Sequence, residues 1–299
     1  MKKCFYVFIA LFIFILTAFA QKDQTNQPAL SFGVITDCHF IDAPRKGRRH
    51  YRLADKKLKE AIGQFNSQSL DFVVNLGDLI NDDFDSLAMS LSIIKLSKAP
   101  VYSALGNHDL YVEDGKKEKV AAKLRLKKRY YDFKVKGWRL VVLDGNEMSL
   151  YAYSKGTKKY RDTADFFKKY GIKLFSWETD SFGIGPAQLL WLENRLKEAS
   201  LLKEKVIIFC HFTAYPDVGH NLANADKLIS LIKRYPCVKA YISGHYHPGN
   251  YAFKDNIHYL TLKAMVDTKN NAYSIIRVFA DRLDLKGFGR EPDQVMLLK

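Results

Sequence analysis

From Leu30 onward the chain alternates continuous apolar runs of four to seven residues with stretches whose apolar positions recur every three or four residues. The runs read as buried strands: LSFGVIT (Leu30 to Thr36), DFVVNL (Asp71 to Leu76), PVYSAL (Pro100 to Leu105), Trp138 to Leu143, VIIF (Val206 to Phe209) and VKAYIS (Val238 to Ser243). The periodic stretches read as helices. Leu58, Ala61, Ile62 and Phe65 mark one within Leu53 to Phe65, and Leu87, Leu91 and Ile94 mark a second. Gly185-Pro186 opens a third, with proline in the tolerated first turn and Leu189, Leu192 and Leu196 as its stripe, and Leu228 to Lys233 is a fourth. The tail differs: YAFK-DN-IHYL has a hairpin signature, and YSIIRVFA followed by RLDLKGF makes a second antiparallel pair. Strand and helix alternation followed by hairpins predicts an α/β fold with mixed sheets. No repeat, low-complexity tract or Pro/Ser-rich linker divides it, so residues 21–299 are expected to form one domain.

The N-terminus stands apart from this pattern. Lys2 and Lys3 precede an apolar run from Phe5 to Leu16, and Ala18-Phe19-Ala20 has the small-x-small form of a cleavage site. Residues 1–20 therefore read as a signal peptide, with no stable membrane anchor after cleavage and a periplasmic or secreted product. Beyond it lie Cys38, Cys210 and Cys237, an odd and sparse set that excludes a disulfide framework. The formal net charge of +15 favours anionic partners. Much of it is local: between Lys116 and Arg129 eight basic residues face Glu118 alone, and Val120, Ala121 and Leu124 give the segment the stripe of an amphipathic helix with a solvated basic face. No aromatics interleave these bases, so a nucleic-acid role has little support.

The chemistry collects just past the strands. Asp37 and His39 follow the first strand, Gly77-Asp78 the second, Gly106-Asn107-His108-Asp109 the third, His211 follows VIIF, and Gly244-His245-x-His247 follows VKAYIS. Strand C-termini are where α/β sheets build their sites. Any one of these residues alone is an ordinary turn former. Together they supply three carboxylate or amide oxygens and four imidazoles, an inventory for two divalent cations. Cys38 and Cys210 neighbour these residues and are expected to be buried as small hydrophobes instead.

D-x-H, G-D, G-N-H-D, a lone histidine after a strand and G-H-x-H, in this order across residues 37 to 247, resemble the calcineurin-like metallophosphoesterase superfamily. The resemblance implies a β-sandwich of mixed sheets flanked by helices, with the dinuclear site at strand C-terminal ends. It implies that Asp37, His39, Asp78 and His247 hold one metal and that Asp78, Asn107, His211 and His245 hold the other, Asp78 bridging. A narrower likeness lies in RRHYR (Arg48 to Arg52), YYDFKVKGWRLVVLDG (Tyr130 to Gly145), GIGPAQLLWLENRLKEA (Gly183 to Ala199) and SGHYHPGNY (Ser243 to Tyr251), which are similar to the manganese-dependent ADP-ribose/CDP-alcohol diphosphatases. Animal members of that group tend to carry Gln at the His39 position, GNHE for GNHD, and a tryptophan-containing stretch where this chain has NLANAD (Asn221 to Asp226). A ferric site of the purple acid phosphatase kind would want tyrosine at position 81, and the chain has Asn81.

The expected reaction is attack on phosphorus by a metal-bridging hydroxide, since two cations about 3.5 to 4 Å apart clamp phosphoryl oxygens and activate water. Mixed imidazole and carboxylate donors suit Mn, Fe, Zn or Co, with manganese first on the resemblance. His108 is expected to serve the leaving oxygen, with Asp109 orienting its ring, and Arg48, Arg49 and Arg52 are candidates for a second phosphate. The leading substrates are small phosphodiesters or pyrophosphates of the ADP-ribose or CDP-alcohol type. The alternatives are a phosphomonoesterase or protein phosphatase, a secreted nuclease, and a silent scaffold, which would be expected to lack ligands.

Overall fold

Every residue of β1 (Leu30–Ile35) is buried, as expected of a central strand covered on both faces. The computed structural model describes residues 27–170 and 182–299, so the expected signal at residues 1–20 lies outside the described part. Around β1 the first sheet adds β2 (Phe72–Asn75) and β3 (Val101–Ser103) in parallel on one side. On the other side β10 (Ala272–Val278), β11 (Arg282–Gly289) and β12 (Gln294–Leu297) run antiparallel in succession. The second sheet has the order β4-β5-β6-β7-β9-β8. Its parallel centre is β5 (Trp138–Val142), β6 (Lys205–Phe209), β7 (Val238–Ser243) and β9 (Ile257–Thr261). The antiparallel edges are β4 (Tyr131–Val135) and β8 (Asn250–Lys254).

The two sheets pack face to face. Leu30, Phe32, Val34, Phe72 and Val74 of the first meet Leu140, Val142, Ile207, Phe209 and Ile242 of the second in one apolar layer. Phe32 stacks on Phe72 at 4.8 Å and meets Phe209 edge-on at 5.7 Å across the seam, pairs worth about 0.5–1.5 kcal/mol beyond area burial. Helices cover the outer faces. α1 (Ala54–Asn66), α2 (Ser86–Ile94) and α3 (Lys117–Lys123) lie over the first sheet, with Leu58, Ala61, Ile62 and Phe65 of α1 and Leu87 and Ile94 of α2 buried as the periodicity predicts. α4 (Lys158–Tyr170) joins this side through Tyr160, while α5 (Pro186–Leu201) and α6 (Ala225–Ile232) cover the second sheet. The α/β sandwich of mixed sheets flanked by helices is thus the architecture observed. The hairpin turn is Asp255-Asn256, both left-handed with φ near +53° and +59°, as a two-residue primed turn requires.

The basic segment departs from expectation. Only Lys117–Lys123 is helical, and Arg125 adopts a left-handed φ of 58° that ends the helix before Arg129. Arg129 then turns inward to pair with the buried Asp144 at 2.7 Å, so one of the eight cations belongs to the interior. Strands β4 and β12 and helix α4 escaped the hydrophobic pattern, because β4 and β12 are edge strands and α4 is mostly polar. Among the described residues, no helix is long and apolar enough to cross a membrane.

Candidate metal centre

The parallel strands of both sheets end along one seam, and the loops that leave them are zipped together there. Asp37 N–H donates to the Gly77 carbonyl at 3.0 Å, His39 N–H to that of Asp78 at 2.8 Å, and Gly244 N–H to that of His211 at 2.9 Å. Asp37, His39, Asp78 and His245 all have positive φ, between 48° and 64°, a strained backbone for non-glycine residues that the packed loops hold in place. Glycine is required beside them. A Cβ on Gly106 would strike the Asp78 carboxylate, and one on Gly244 would strike the Thr36 hydroxyl and the Asp37 carboxylate.

Three carboxylate and imidazole groupings result: Asp37, His39 and His247; Asp78, His211 and His245; and His39, Asp78 and His108. In each, the donor atoms lie within 4.8 Å of one another. Asp37 Oδ1 is 3.6 Å from both His39 Nε2 and His247 Nε2. Asp78 Oδ2 lies 3.4 Å from His39 Nε2 and 3.2 Å from His211 Nε2, which puts one oxygen between the two groups. All seven residues expected as ligands therefore gather at the seam, Asn107 among them by its buried Oδ1.

Asp37 Oδ1, His39 Nε2, Asn107 Oδ1, His211 Nε2 and His245 Nε2 are buried and have no hydrogen-bond partner in the protein. Orphaned polar atoms of this kind are costly in a folded interior. Here they converge, and all can offer lone pairs. The remaining ring nitrogens explain why. His39 Nδ1–H donates to Asn81 Oδ1 at 3.1 Å, His211 Nδ1–H to the Leu76 carbonyl at 3.0 Å, and His247 Nδ1–H to Asp267 Oδ1 at 3.0 Å. Each acceptor fixes a tautomer that leaves Nε2 as a bare donor to a cation. The set fits two divalent cations of borderline softness.

Without a cation, the crowded carboxylates and imidazoles perturb one another strongly. Burial alone would raise the Asp37 carboxyl, but the adjacent imidazole of His39 and the positive fields of His211 and His247 hold it well below the usual range. Burial opposes charge on His211, yet Asp78 and Asp37 lift it to about 9, whereas burial and His211 itself push His245 far down. Burial pushes Asp109 up to about 7, with the Asp78 charge, against the backbone donors it accepts from.

Asp109 does not orient His108. Its carboxylate is buried and takes the backbone N–H groups of Asp78, Leu79 and Gly106 at 2.9 Å and of Ile80 at 3.3 Å, which anchors the loop carrying Asp78. The partner of His108 is Asp82, whose Oδ1 lies 2.7 Å from Nδ1. Burial disfavours the imidazolium, but the charges of Asp78 and Asp82 outweigh it and raise the His108 pKa. The arginines also separate. Arg52 pairs with Asp42 at 2.6 Å on the surface and Arg48 leans on Asp267 at 3.5 Å, while Arg49 lines the cavity above the centre.

That cavity has a volume of about 1190 Å³ and runs from His108, Arg49 and His247 past Phe182, Tyr215 and His220 to Lys233 and Lys254. Phe182 stacks on Phe212 at 4.2 Å and forms an aromatic wall next to His245. Within the stretch Asn221 to Asp226, all but Asn224 line the same space. Asn81, Asp82, Asp267 and His220 were not expected here. Asp82 sits four residues after Asp78 in the same loop, a spacing that offers a signal, but Asp267 lies beyond all five blocks and none points to it. Cys38 and Cys210 face away from the centre, each buried in one of the two outer cores.

The family model for calcineurin-like phosphoesterases matches residues 30–249. The manganese-dependent ADP-ribose/CDP-alcohol diphosphatase of Arabidopsis thaliana is 31% identical over 89% of this chain and 96% of its own. The protein of the same name from Homo sapiens is 26% identical over 92% and 95%. The crystal structure of a dimetal phosphatase from Danio rerio superposes with a TM-score of 0.82 at 22% identity, covering 91% of this chain and all of that one.

Proposed function

The chain belongs to the calcineurin-like phosphoesterase family, a dinuclear metal-dependent hydrolase, and from that premise we propose that it cleaves the diphosphate linkage of nucleoside diphosphate derivatives of the ADP-ribose or CDP-alcohol type. The observation that carries the reading is the set of five buried, unpartnered donor atoms, two of them on the cavity-lining Asn107 and His245, beside a space of about 1190 Å³ that is large enough for such a molecule. Manganese is the cation named for the relatives, and the donor set here suits it.

Asp37, His39, Asp78 and His247 would hold one cation and Asp78, Asn107, His211 and His245 the other. When bound, two such ions polarise phosphoryl oxygens and make water a nucleophile at neutral pH. The protein's own groups do the rest. His108 faces the cavity with a proton favoured by Asp82, and gives it to the leaving phosphate oxygen as that bond breaks. Arg49, at the same mouth, binds the phosphate that is not attacked through paired N–H donors. Phe182, backed by Phe212, offers a flat apolar face to a base or a sugar and excludes water from that side.

Reconstitution of the stripped protein with Mn, Mg, Zn or Fe, followed by a comparison of ADP-ribose, CDP-choline, a simple phosphodiester, a phosphomonoester and single-stranded DNA, tests this. Diphosphate cleavage in the presence of Mn is expected. A preference for the monoester or the polynucleotide would replace the substrate class and leave the centre intact. Export with cleavage after Ala20 is proposed on the Lys2-Lys3, Phe5 to Leu16 and Ala18-Phe19-Ala20 pattern. N-terminal sequencing of the secreted or periplasmic product would find Gln21 first.

A further inference from the structure

Lys57 does not belong in its surroundings. It sits in the first turn of α1, whose other inward residues are Ala54, Leu58, Ala61, Ile62 and Phe65, and it is itself only 3% exposed. A buried ammonium is costly unless its three donors are met. Here Nζ donates to the carbonyls of Met265 at 2.7 Å, Thr268 at 2.8 Å and Asp267 at 3.4 Å, all in one loop, and among the described residues it pairs with no carboxylate. Burial, with the nearby charge of Arg290, lowers its pKa to about 8, so it remains charged at neutral pH.

The loop it gathers touches the centre in three places. Met265 N–H donates to the Thr36 carbonyl at 3.1 Å and Val266 N–H to that of Asp37 at 2.9 Å, so the loop braces the turn that carries Asp37 and His39. Asp267, between two of the carbonyls that Lys57 holds, fixes the His247 tautomer through Nδ1. Finally, Thr268 N–H donates to the Arg48 carbonyl at 2.7 Å and Arg49 bridges to Asp267, which ties the cavity-facing arginine to the same loop.

We propose that Lys57 is a positioning residue for the metal group of Asp37, His39 and His247, acting through Asp267, and that it sets the affinity of that half of the centre and the seat of Arg49. The inference rests on the dinuclear reading. Asp37 and His247 belong to the first half and Asn107, His211 and His245 to the other, so Lys57 acts on one half only. A purely structural lysine would instead weaken the fold and leave both cations bound equally.

The test is equilibrium dialysis of the full chain with Mn²⁺, backed by thermal unfolding and steady-state kinetics. The wild type takes up two ions; if it takes up none, the dinuclear reading fails first and this inference with it. Lys57→Met should weaken one ion about 10- to 100-fold, the scale for loss of an outer partner of a metal ligand. That ion is the one weakened by Asp267→Asn and not the one weakened by Asn107→Ala. The double variant Lys57→Met/Asp267→Asn should be no worse than the weaker single variant, because both changes act along one chain of contacts. KM should rise in Lys57→Met even with Mn²⁺ saturating, through Arg49. Additive losses, equal weakening of both ions, or a lower melting temperature with unchanged Mn²⁺ binding would each overturn the proposal. Lys57→Gln, which keeps one donor, should fall between wild type and Lys57→Met. If neither variant folds, the contacts serve the core and the proposal fails.

Discussion

Replacement of His108 by alanine separates proton transfer from metal binding within four consecutive residues. The backbone N–H of His108 donates to Asp78 Oδ1 at 2.8 Å and survives truncation, so the loop should keep its place. What is lost is the ring, whose Nδ1 is occupied by Asp82 and whose plane lies edge-on to His39 at 4.4 Å. A positioned general acid contributes about 10²- to 10⁴-fold, or roughly 3–5 kcal/mol of barrier at about 1.4 kcal/mol per decade. His108→Ala should therefore lose that factor in kcat with two Mn²⁺ retained. The loss should grow for a simple phosphodiester with an alkoxide leaving group, which needs a proton far more than the leaving phosphate of a diphosphate, whose pKa is about 6. Asp82→Asn keeps the ring but removes the charge that favours its protonated form, so it should give a smaller loss and draw the alkaline limb of the kcat profile to lower pH. Metal content by dialysis and kcat against leaving-group pKa are the two assays. The refuting result is specific. His108 also lies within ligand reach of His39 and Asp78, so if His108→Ala releases an ion, or loses equal activity on all leaving groups, His108 is a ligand and the proton-transfer assignment is wrong.

Asn107→Ala should do the reverse, weakening one Mn²⁺ while excess metal restores much of the turnover, as read by Mn²⁺ titration of activity. Gly106→Ala should abolish metal binding while the circular dichroism stays folded, because the added carbon meets the Asp78 carboxylate. Asp109→Ala strips the acceptor from four buried backbone donors and should cost several kcal/mol in urea unfolding at about 1–3 kcal/mol per orphaned group. In the metal-free protein, His211 is raised to about 9 by Asp78 and Asp37 against the effect of burial. Its stabilising contribution is then fully present below the unfolded value near 6.5 and lost as pH rises through about 9. Because a ligand imidazole must be neutral, Mn²⁺ uptake at pH 7 should release a proton from His211, seen as a buffer-dependent calorimetric enthalpy that fades above pH 9.

The pattern that made this fold readable is local. Residues of β1, β2, β6 and β7 are buried on both faces, so their apolar runs are continuous and their ends fall where the polar blocks begin. Edge strands such as β4 and β12 leave no comparable trace, since half of each is solvated. The site divides the same way. Residues that a cation would touch come in short blocks at strand ends, where spacing in the chain and spacing in space coincide. Residues that aim those side chains need only satisfy one leftover N–H, and any acceptor the fold brings near will serve. His39 uses Asn81, His211 uses the Leu76 carbonyl and His247 uses Asp267, an amide, a backbone oxygen and a carboxylate with no motif in common. Asp109 shows the opposite trap. Its place beside His108 in the chain invites a pairing, but the turn that presents His108 to the cavity sends the next side chain inward, onto the N–H groups of the Asp78 loop. Adjacent positions in a tight turn face apart, so neighbours in the chain are poor candidates for partners, and the partner Asp82 comes from the loop across the turn.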